Sequence, residues 1–148
     1  MNIKSLLSPD CVLFKHQCAS KKRLLETIAS HLCDHNTKLD PSNVFSALIA
    51  RERLGSTGLG KGIAIPHCRI ADCTETIGVL VTLATPIDFN AVDSELVDII
   101  FVLVVPEDGH KDHLQTLATI AETFSDKDCL QRMRKSMNAQ ELYNIVTT

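Results

Sequence analysis

Three short apolar runs rich in valine and isoleucine constrain the fold of this chain more than any other feature. The longest extends over Val97–Val105, and Ile77–Leu83 and Ile63–Ile65 are shorter runs of the same kind. Such runs, bounded by turn residues, are typical of strands that are buried on both faces of a sheet. Because such a sheet must be covered on both sides, we expect the rest of the chain to supply helices.

Helical periodicity is found before the first of these runs. Ser20 is placed to cap a first helix whose apolar residues recur at helical spacing. Asp40 is a suitable cap for a second helix, Pro41 fits its first turn, and Gly55 is a stop signal. A short extended segment near Cys11 precedes both helices. These signals predict two consecutive helices after an initial strand.

Three more helices are predicted after the last apolar run. The first begins at His113, and capping patterns at Ser125 and Asn138 start the other two. Helices mixed with buried strands predict an α/β sandwich, in which helices cover both faces of a mixed, mainly buried sheet. The order of the strands does not follow from these patterns.

Length and composition favour one compact domain over residues 1–148. The chain is 45% apolar and has no internal repeat or flexible linker. Its formal net charge of -3 and the lack of any Lys/Arg cluster argue against binding to nucleic acid. No apolar run approaches the roughly 20 residues that a membrane-spanning helix needs. We therefore expect a cytoplasmic protein that is not embedded in a membrane.

The six cysteines are expected to be free thiols, as is usual in the cytosol. His31, Cys33 and His35 alternate in a way that superficially resembles a metal site. However, Cys33 would point away from the two histidines on a helix, and no second ligand pair has zinc-site spacing. The sequence predicts no bound metal.

The segment Gly55–Gly62 first suggests a nucleotide-binding loop, because GSTGLGKG satisfies most of the P-loop pattern. Gly62 nevertheless stands where a magnesium-binding Ser or Thr is required. The context is also reversed, because a P-loop leads from a strand into a helix, whereas here a predicted helix precedes the glycines and a strand follows. We therefore reject ATP or GTP binding.

The same segment leads into a predicted strand that ends at Pro66 and His67. An unperturbed imidazole titrates near pH 6.5, so much of it is neutral at pH 7 and able to attack phosphorus. Stabilising such a transfer requires cations, hydroxyls or backbone amides around the phosphoryl oxygens. From composition alone, His67 would still be an ordinary surface histidine.

A family resemblance changes this interpretation. RERLGSTGLGKGIAIPH, which ends at His67, is similar almost position by position to the active-site stretch of the mannitol/fructose/nitrogen-type IIA family. These are components of the bacterial phosphoenolpyruvate-dependent phosphotransferase system, and they are phosphorylated on the final histidine of this stretch. TPIDFNAVDSELVDIIFVLVVPE, HLQTLATIAETF and ELYNIV also resemble later parts of the family. Together these segments cover most of the chain.

The resemblance implies a role for five residues. His67 would be the phosphorylated nucleophile, and Arg51 the cation that stabilises the phosphoryl group. Thr57 would supply a hydroxyl, Ser56 is a weaker candidate for the same purpose, and His113 matches the family's second active-site histidine. The enzyme would be a phosphotransferase component with a phosphohistidine intermediate, and it would need no cofactor. Cys68 departs from the pattern, because relatives often have a glycine or another small residue after the carrier histidine.

Within the family, the standalone length and RERLGSTG resemble the nitrogen-regulatory branch most closely. The implied donor is an HPr-like phosphocarrier, and the implied targets are regulatory, such as potassium-uptake systems or sensor kinases. The alternative is a fructose- or mannitol-type IIA component that passes the phosphoryl group to a IIB cysteine during sugar uptake. In the first case two added negative charges change a partner's affinity; in the second the group is only relayed.

Overall fold

The computed structural model describes residues 3–108 and 110–148, apart from the side chains of residues 110–113. The helices are α1 (Ile3–Leu6), α2 (Lys21–Asp34), α3 (Pro41–Leu54), α4 (His110–Thr123), α5 (Lys127–Lys135) and α6 (Ala139–Thr147). The strands are β1 (Leu7–His16), β2 (Gly58–Gly60), β3 (Ile63–Ala64), β4 (His67–Ile70), β5 (Ile77–Ile87) and β6 (Val97–Pro106).

The strands form one mixed six-stranded sheet. Its order is β1-β5-β6-β3-β2, and β4 also pairs with β6. The pairs β1–β5, β3–β6 and β4–β6 are parallel, whereas β5–β6 and β2–β3 are antiparallel. The long strands β5 and β6 therefore form the centre, and the short strands of the glycine-rich segment lie along one side of β6.

The centre of the sheet is covered on both faces. Every residue of β6 from Ile99 to Val105 is at most 1% exposed, which a strand achieves only when both faces are packed. Helices α2 and α3 pack against each other and contact β5 and β4, respectively, whereas α6 packs against β1. The predicted α/β sandwich is confirmed.

The helix ends show which sequence signals were sufficient. Ser20 and Asp40 cap α2 and α3 as predicted, and Asn138 caps α6 by accepting the backbone N–H of Glu141. The prediction for α5 was wrong by one residue, because Asp126 caps this helix. Ser125 instead donates its hydroxyl to the carbonyl of Glu122. Helix α4 also begins before the predicted His113.

The strand that was predicted to end at His67 is in fact interrupted and then continues. β3 stops at Ala64, and β4 starts at His67 without a change in its register against β6. Pro66 lies in the break, where its carbonyl accepts a hydrogen bond from the backbone N–H of Leu103. A proline has no backbone N–H to donate, which favours an interruption of the ladder at this point. His67 therefore lies beside the central strand, next to a break in the ladder.

Candidate active site

The backbone break fixes the orientation and the tautomer of His67. Its Nδ1 lies 2.8 Å from the carbonyl oxygen of Ile65, which can only accept a hydrogen bond. Nδ1 must therefore carry the proton, and in the neutral ring Nε2 keeps its lone pair. The side chain is half-buried. This arrangement presents Nε2 as the nucleophilic nitrogen.

Arg51 in the last turn of α3 lies against that nitrogen. Its Nε donates to Nε2 of His67 at 3.3 Å, and Nη1 donates to the carbonyl of Gly55 at 2.8 Å. One guanidinium thus bridges the imidazole and the start of the glycine-rich loop. A phosphoryl group on Nε2 would meet a cation whose planar donors suit phosphate oxygens.

The surroundings keep the imidazole neutral. Burial lowers the pKa of His67 below its usual 6.5, and the nearby positive charges of Arg51 and Arg69 act in the same direction. The hydrogen bond to Ile65 and the charge of Glu52 oppose this shift in pKa without reversing it. At neutral pH the ring is therefore unprotonated at Nε2, as a nucleophile must be.

Ser56 and Thr57 lie in the loop between α3 and β2, and their hydroxyl groups hold that loop in place. Ser56 Oγ donates to the carbonyl of Phe89 at 2.5 Å and accepts the backbone N–H of Gly58 at 3.0 Å. Thr57 is only 5% exposed, and its Oγ1 donates to Glu52 Oε2 at 2.6 Å. Both hydroxyl protons are thus engaged within the protein. The carbonyl of Thr57 also accepts the N–H of Ile65, which ties the loop to the break beside His67.

Glu52 is the residue that the sequence analysis missed. Its side chain is 5% exposed, and its carboxylate accepts the backbone N–H of Thr57 as well as the Thr57 hydroxyl. Lys21 Nζ lies 3.2 Å from Oε1, and it also donates to the carbonyl of Phe89 at 3.3 Å. The available signal was a carboxylate five residues before Thr57 at the end of a helix. Its partner Lys21, 31 residues earlier, becomes apparent only in the fold.

This geometry coincides with a family match over nearly the whole chain. Residues 5–148 match the family model described as the phosphoenolpyruvate-dependent sugar phosphotransferase system, EIIA 2. The chain belongs to this family. It is therefore a IIA component of the phosphotransferase system, a class of proteins that take part in phosphoryl transfer.

Relatives of this IIA protein include several that are called nitrogen regulatory proteins. The one from Escherichia coli is 43% identical over 148 residues, which cover 99% of this chain and 90% of the relative. The one from Pseudomonas aeruginosa is 41% identical over 146 residues, which cover 99% of this chain and 95% of the relative. A fructose-specific EIIA component from Haloferax volcanii is 24% identical over 98% of this chain and 94% of its own length.

Solved structures confirm the fold. The crystal structure of the nitrogen regulatory protein IIA-Ntr from Neisseria meningitidis has a TM-score of 0.92 at 36% identity, covering 98% of this chain and 99% of that one. The crystal structure of IIA mannitol from Escherichia coli has a TM-score of 0.78 at 17% identity, covering 94% and 97%. The second likeness concerns the fold alone.

The structure thus brings four of the five predicted site residues of this IIA protein into one region, centred on His67 and the adjoining loop. The fifth, His113, belongs to α4, but its side chain lies outside the described residues. Its predicted role stays a prediction.

Cys68, the residue that departs from the family pattern, is 6% exposed. Burial raises the pKa of its thiol to about 12, with Cys73 contributing to the shift in the same direction. Because the thiolate is the reactive form, this thiol is inert near neutral pH. All six cysteines are free thiols.

Within residues 3–108 and 110–148, no group of three or more described His, Cys, Asp or Glu side chains is arranged to hold a metal ion. Over the same ranges, no helix combines the length and the apolar character needed to cross a membrane.

Proposed function

We propose that this IIA protein accepts a phosphoryl group on Nε2 of His67 from an HPr-like phosphocarrier. The observation that carries the proposal is the pair of contacts on one imidazole, Nδ1 with the Ile65 carbonyl and Nε2 with Arg51. The first contact selects the tautomer, and the second supplies a cation at the reacting nitrogen.

The transfer step needs no change in protonation at Nδ1. As the lone pair of Nε2 attacks phosphorus, the new N–P bond forms while the bond between phosphorus and its donor breaks. Nδ1 stays protonated and donates its hydrogen bond to the Ile65 carbonyl throughout. Arg51 then exchanges its contact with Nε2 for contacts with the phosphoryl oxygens. Ser56 and Thr57 remain predicted phosphate contacts, and Thr57 would have to leave Glu52 to donate its hydroxyl.

We further propose that the phosphoryl group acts as a regulatory signal in the cytoplasm, within a single functional domain of residues 1–148. The support is similarity, since the nitrogen regulatory proteins from Escherichia coli and Pseudomonas aeruginosa are 43% and 41% identical, whereas the fructose-specific relative is 24% identical. A phosphoryl group adds about two negative charges near the loop. Regulatory targets such as potassium-uptake systems or sensor kinases would bind one of the two charge states more tightly.

The test is transfer of labelled phosphate from phosphoenolpyruvate, through enzyme I and HPr homologues, to the wild-type protein and to His67→Ala. The wild type is expected to gain acid-labile label and His67→Ala none. His35→Ala is a matched control, because His35 also donates from Nδ1 to a carbonyl but is exposed. Label retained in His67→Ala, or absent from folded wild type with every donor, would contradict the carrier role.

The sugar-relay alternative is separated by a second assay. Phosphorylated wild-type protein is mixed with a free IIB domain of the fructose or mannitol type. Rapid transfer of label to its cysteine would favour the relay. Retention of label on His67 is the result that the regulatory proposal expects.

A further inference from the structure

A cleft on the outer side of the α2–α3 pair lies close to the active-site loop. It has a volume of about 430 Å³ and is lined by Lys21, Lys22, Phe45, Ile49, Glu52 and Arg53. Neither His67 nor Arg51 lines it, so it is separate from the phosphoryl site. Its volume falls within the range that accommodates a small molecule or an anchoring side chain of a partner.

The apolar part of the cleft lies on α3. Phe45, Ile49 and Arg53 are spaced four residues apart and therefore share one face of this helix. Phe45 and Ile49 pack against the core on one side and are half-buried. The cleft thus offers apolar surface at its centre, with a cation at the end of the same helical face.

The charged part of the cleft is positive, although the whole chain carries a formal charge of -3. Lys21 and Glu52 neutralise each other within the wall at 3.2 Å. Lys22 and Arg53 are exposed, and neither forms an ion pair with any described residue. Two uncompensated cations therefore border the apolar surface.

The geometry points to a docking site for an acidic segment of a partner protein, in which an apolar side chain is flanked by carboxylates. The apolar side chain would cover Phe45 and Ile49, while the carboxylates would pair with Lys22 and Arg53. Apolar anchors within a rim of complementary charge are the usual arrangement at peptide-binding surfaces. A concave cleft suits an inserted side chain better than the flat surface of an anionic membrane.

Glu52 connects the cleft to the active-site loop. Lys21 and Glu52 line the cleft, and Glu52 holds both the backbone N–H and the hydroxyl of Thr57. An occupant that draws Lys21 away from Glu52 would therefore loosen the loop beside Arg51. Regulation of such a partner by phosphorylation rests on the proposed function. Binding of the partner to the unphosphorylated protein does not depend on that function.

The test measures binding of a fluorescein-labelled peptide in which one Phe and one Leu are flanked by Asp and Glu. Fluorescence anisotropy should show binding to the unphosphorylated wild-type protein and none for the same peptide with Lys in place of the acidic residues. Lys22→Glu combined with Arg53→Glu should weaken binding at least about tenfold, because attraction is replaced by repulsion. In ¹H–¹⁵N spectra, the peptide should shift amides of residues 21–25 and 45–53.

The control combines Lys127→Glu with Lys135→Glu on α5, two exposed positions with the same change of net charge. It should bind within about twofold of wild type, because distant surface charges contribute little. Equal weakening by both double variants, or shifts centred on His67, would refute the site. Binding of wild type to anionic lipid vesicles but not to the acidic peptide would also refute it. Because no phosphate donor is present, failure here leaves the carrier role untouched, and failure of phosphoryl acceptance leaves this result standing.

Discussion

Two regions of this IIA protein contain histidines bound to backbone carbonyls, and only one has the features of a phosphoryl carrier. His31 and His35, near the end of α2, have ring centroids 4.8 Å apart, and each ring contacts a carbonyl. His35 is exposed, whereas His31 is half-buried, and no hydrogen bond or ion pair among the described residues joins an arginine to either ring. His67 is half-buried, and Arg51 donates to its Nε2.

The comparison shows that the tautomer alone does not define the site. Nδ1 of His35 donates to the carbonyl oxygen of His31 at 3.0 Å, much as Nδ1 of His67 donates to the carbonyl oxygen of Ile65 at 2.8 Å. What distinguishes His67 from His35 is burial together with a cation at Nε2. Burial favours the neutral nucleophile, and the cation offsets the charge that arrives with phosphate.

The largest effect is expected when the cation is removed. Arg51→Ala should slow phosphoryl transfer to His67 by about 10²- to 10³-fold, because one preorganised donor to the transferring group is lost. Rapid-quench measurement of labelled protein, with phosphorylated HPr homologue as donor, gives the rate.

Arg23→Ala is the matched control, because Arg23 is an exposed helical arginine that lies 3.9 Å from Glu26. Its rate should stay within about twofold of wild type, as expected for a weak surface ion pair. Similar rates for Arg51→Ala and Arg23→Ala would show that proximity of Arg51 to His67 has no catalytic value.

The next largest effect is expected at Glu52, whose buried carboxylate binds Thr57 in the loop. Glu52→Gln should lower the free energy of unfolding by about 2–4 kcal/mol, because it leaves the mostly buried Lys21 ammonium without its counter-charge. Chemical denaturation with urea measures the change. Glu26→Gln removes an exposed carboxylate with a 3.9 Å partner and should change stability by less than about 0.5 kcal/mol. Equal losses in the two variants would show that Glu52 does not anchor the loop.

Two glycines at the ends of the segment Gly55–Gly62 allow a test with a smaller expected effect. Gly62 has φ +83°, and an added Cβ would lie 2.6 Å from Arg134 Nη2 and 2.8 Å from Asp98 Oδ1. Gly55 is extended at φ 161°, and an added Cβ there would meet nothing within 4 Å. Gly62→Ala should therefore cost about 1–3 kcal/mol, whereas Gly55→Ala should change stability by less than about 0.5 kcal/mol. The reverse order in thermal unfolding would contradict this account of the turn.

Sequence reasoning predicted well what local chemistry determines. The strand over Val97–Pro106 and the caps at Ser20 and Asp40 follow from apolar runs and from side chains that bind their own helix. It was less accurate where several local solutions have similar energy. Asp126, and not the predicted Ser125, caps α5.

The site itself shows the same division. The family resemblance pointed to His67 and Arg51, but their 3.3 Å contact joins α3 to the start of β4 and depends on the fold. Sequence reasoning did not identify Glu52, because its partner Lys21 lies on a different helix. Interactions between distant parts of a chain leave no periodic trace in the sequence, so only a structure brings them together.

The smallest effect is one of pH, and it tests whether burial separates His67 from the exposed His35. Its pKa in the folded protein lies below 6.5, so the midpoint at which phosphoryl acceptance falls with decreasing pH should lie below 6.5. Between the lowered pKa and 6.5, the unfolded chain binds more protons at this site than the folded one. His67 therefore makes stability fall as pH decreases through this window.

Removal of Arg51 sharpens the pH prediction, because burial and not the cation is the largest cause of the lowered pKa. Arg51→Ala should raise the pKa of His67 only part of the way back towards 6.5. The titration of the ring proton on Cε1, followed by NMR, measures this change, and His67→Gln identifies the signal. A complete return to 6.5 in Arg51→Ala would mean that charge, and not desolvation, keeps the imidazole neutral. In that case His67 would differ from the exposed His35 through the charge of Arg51, and burial would serve only to hold the two side chains together.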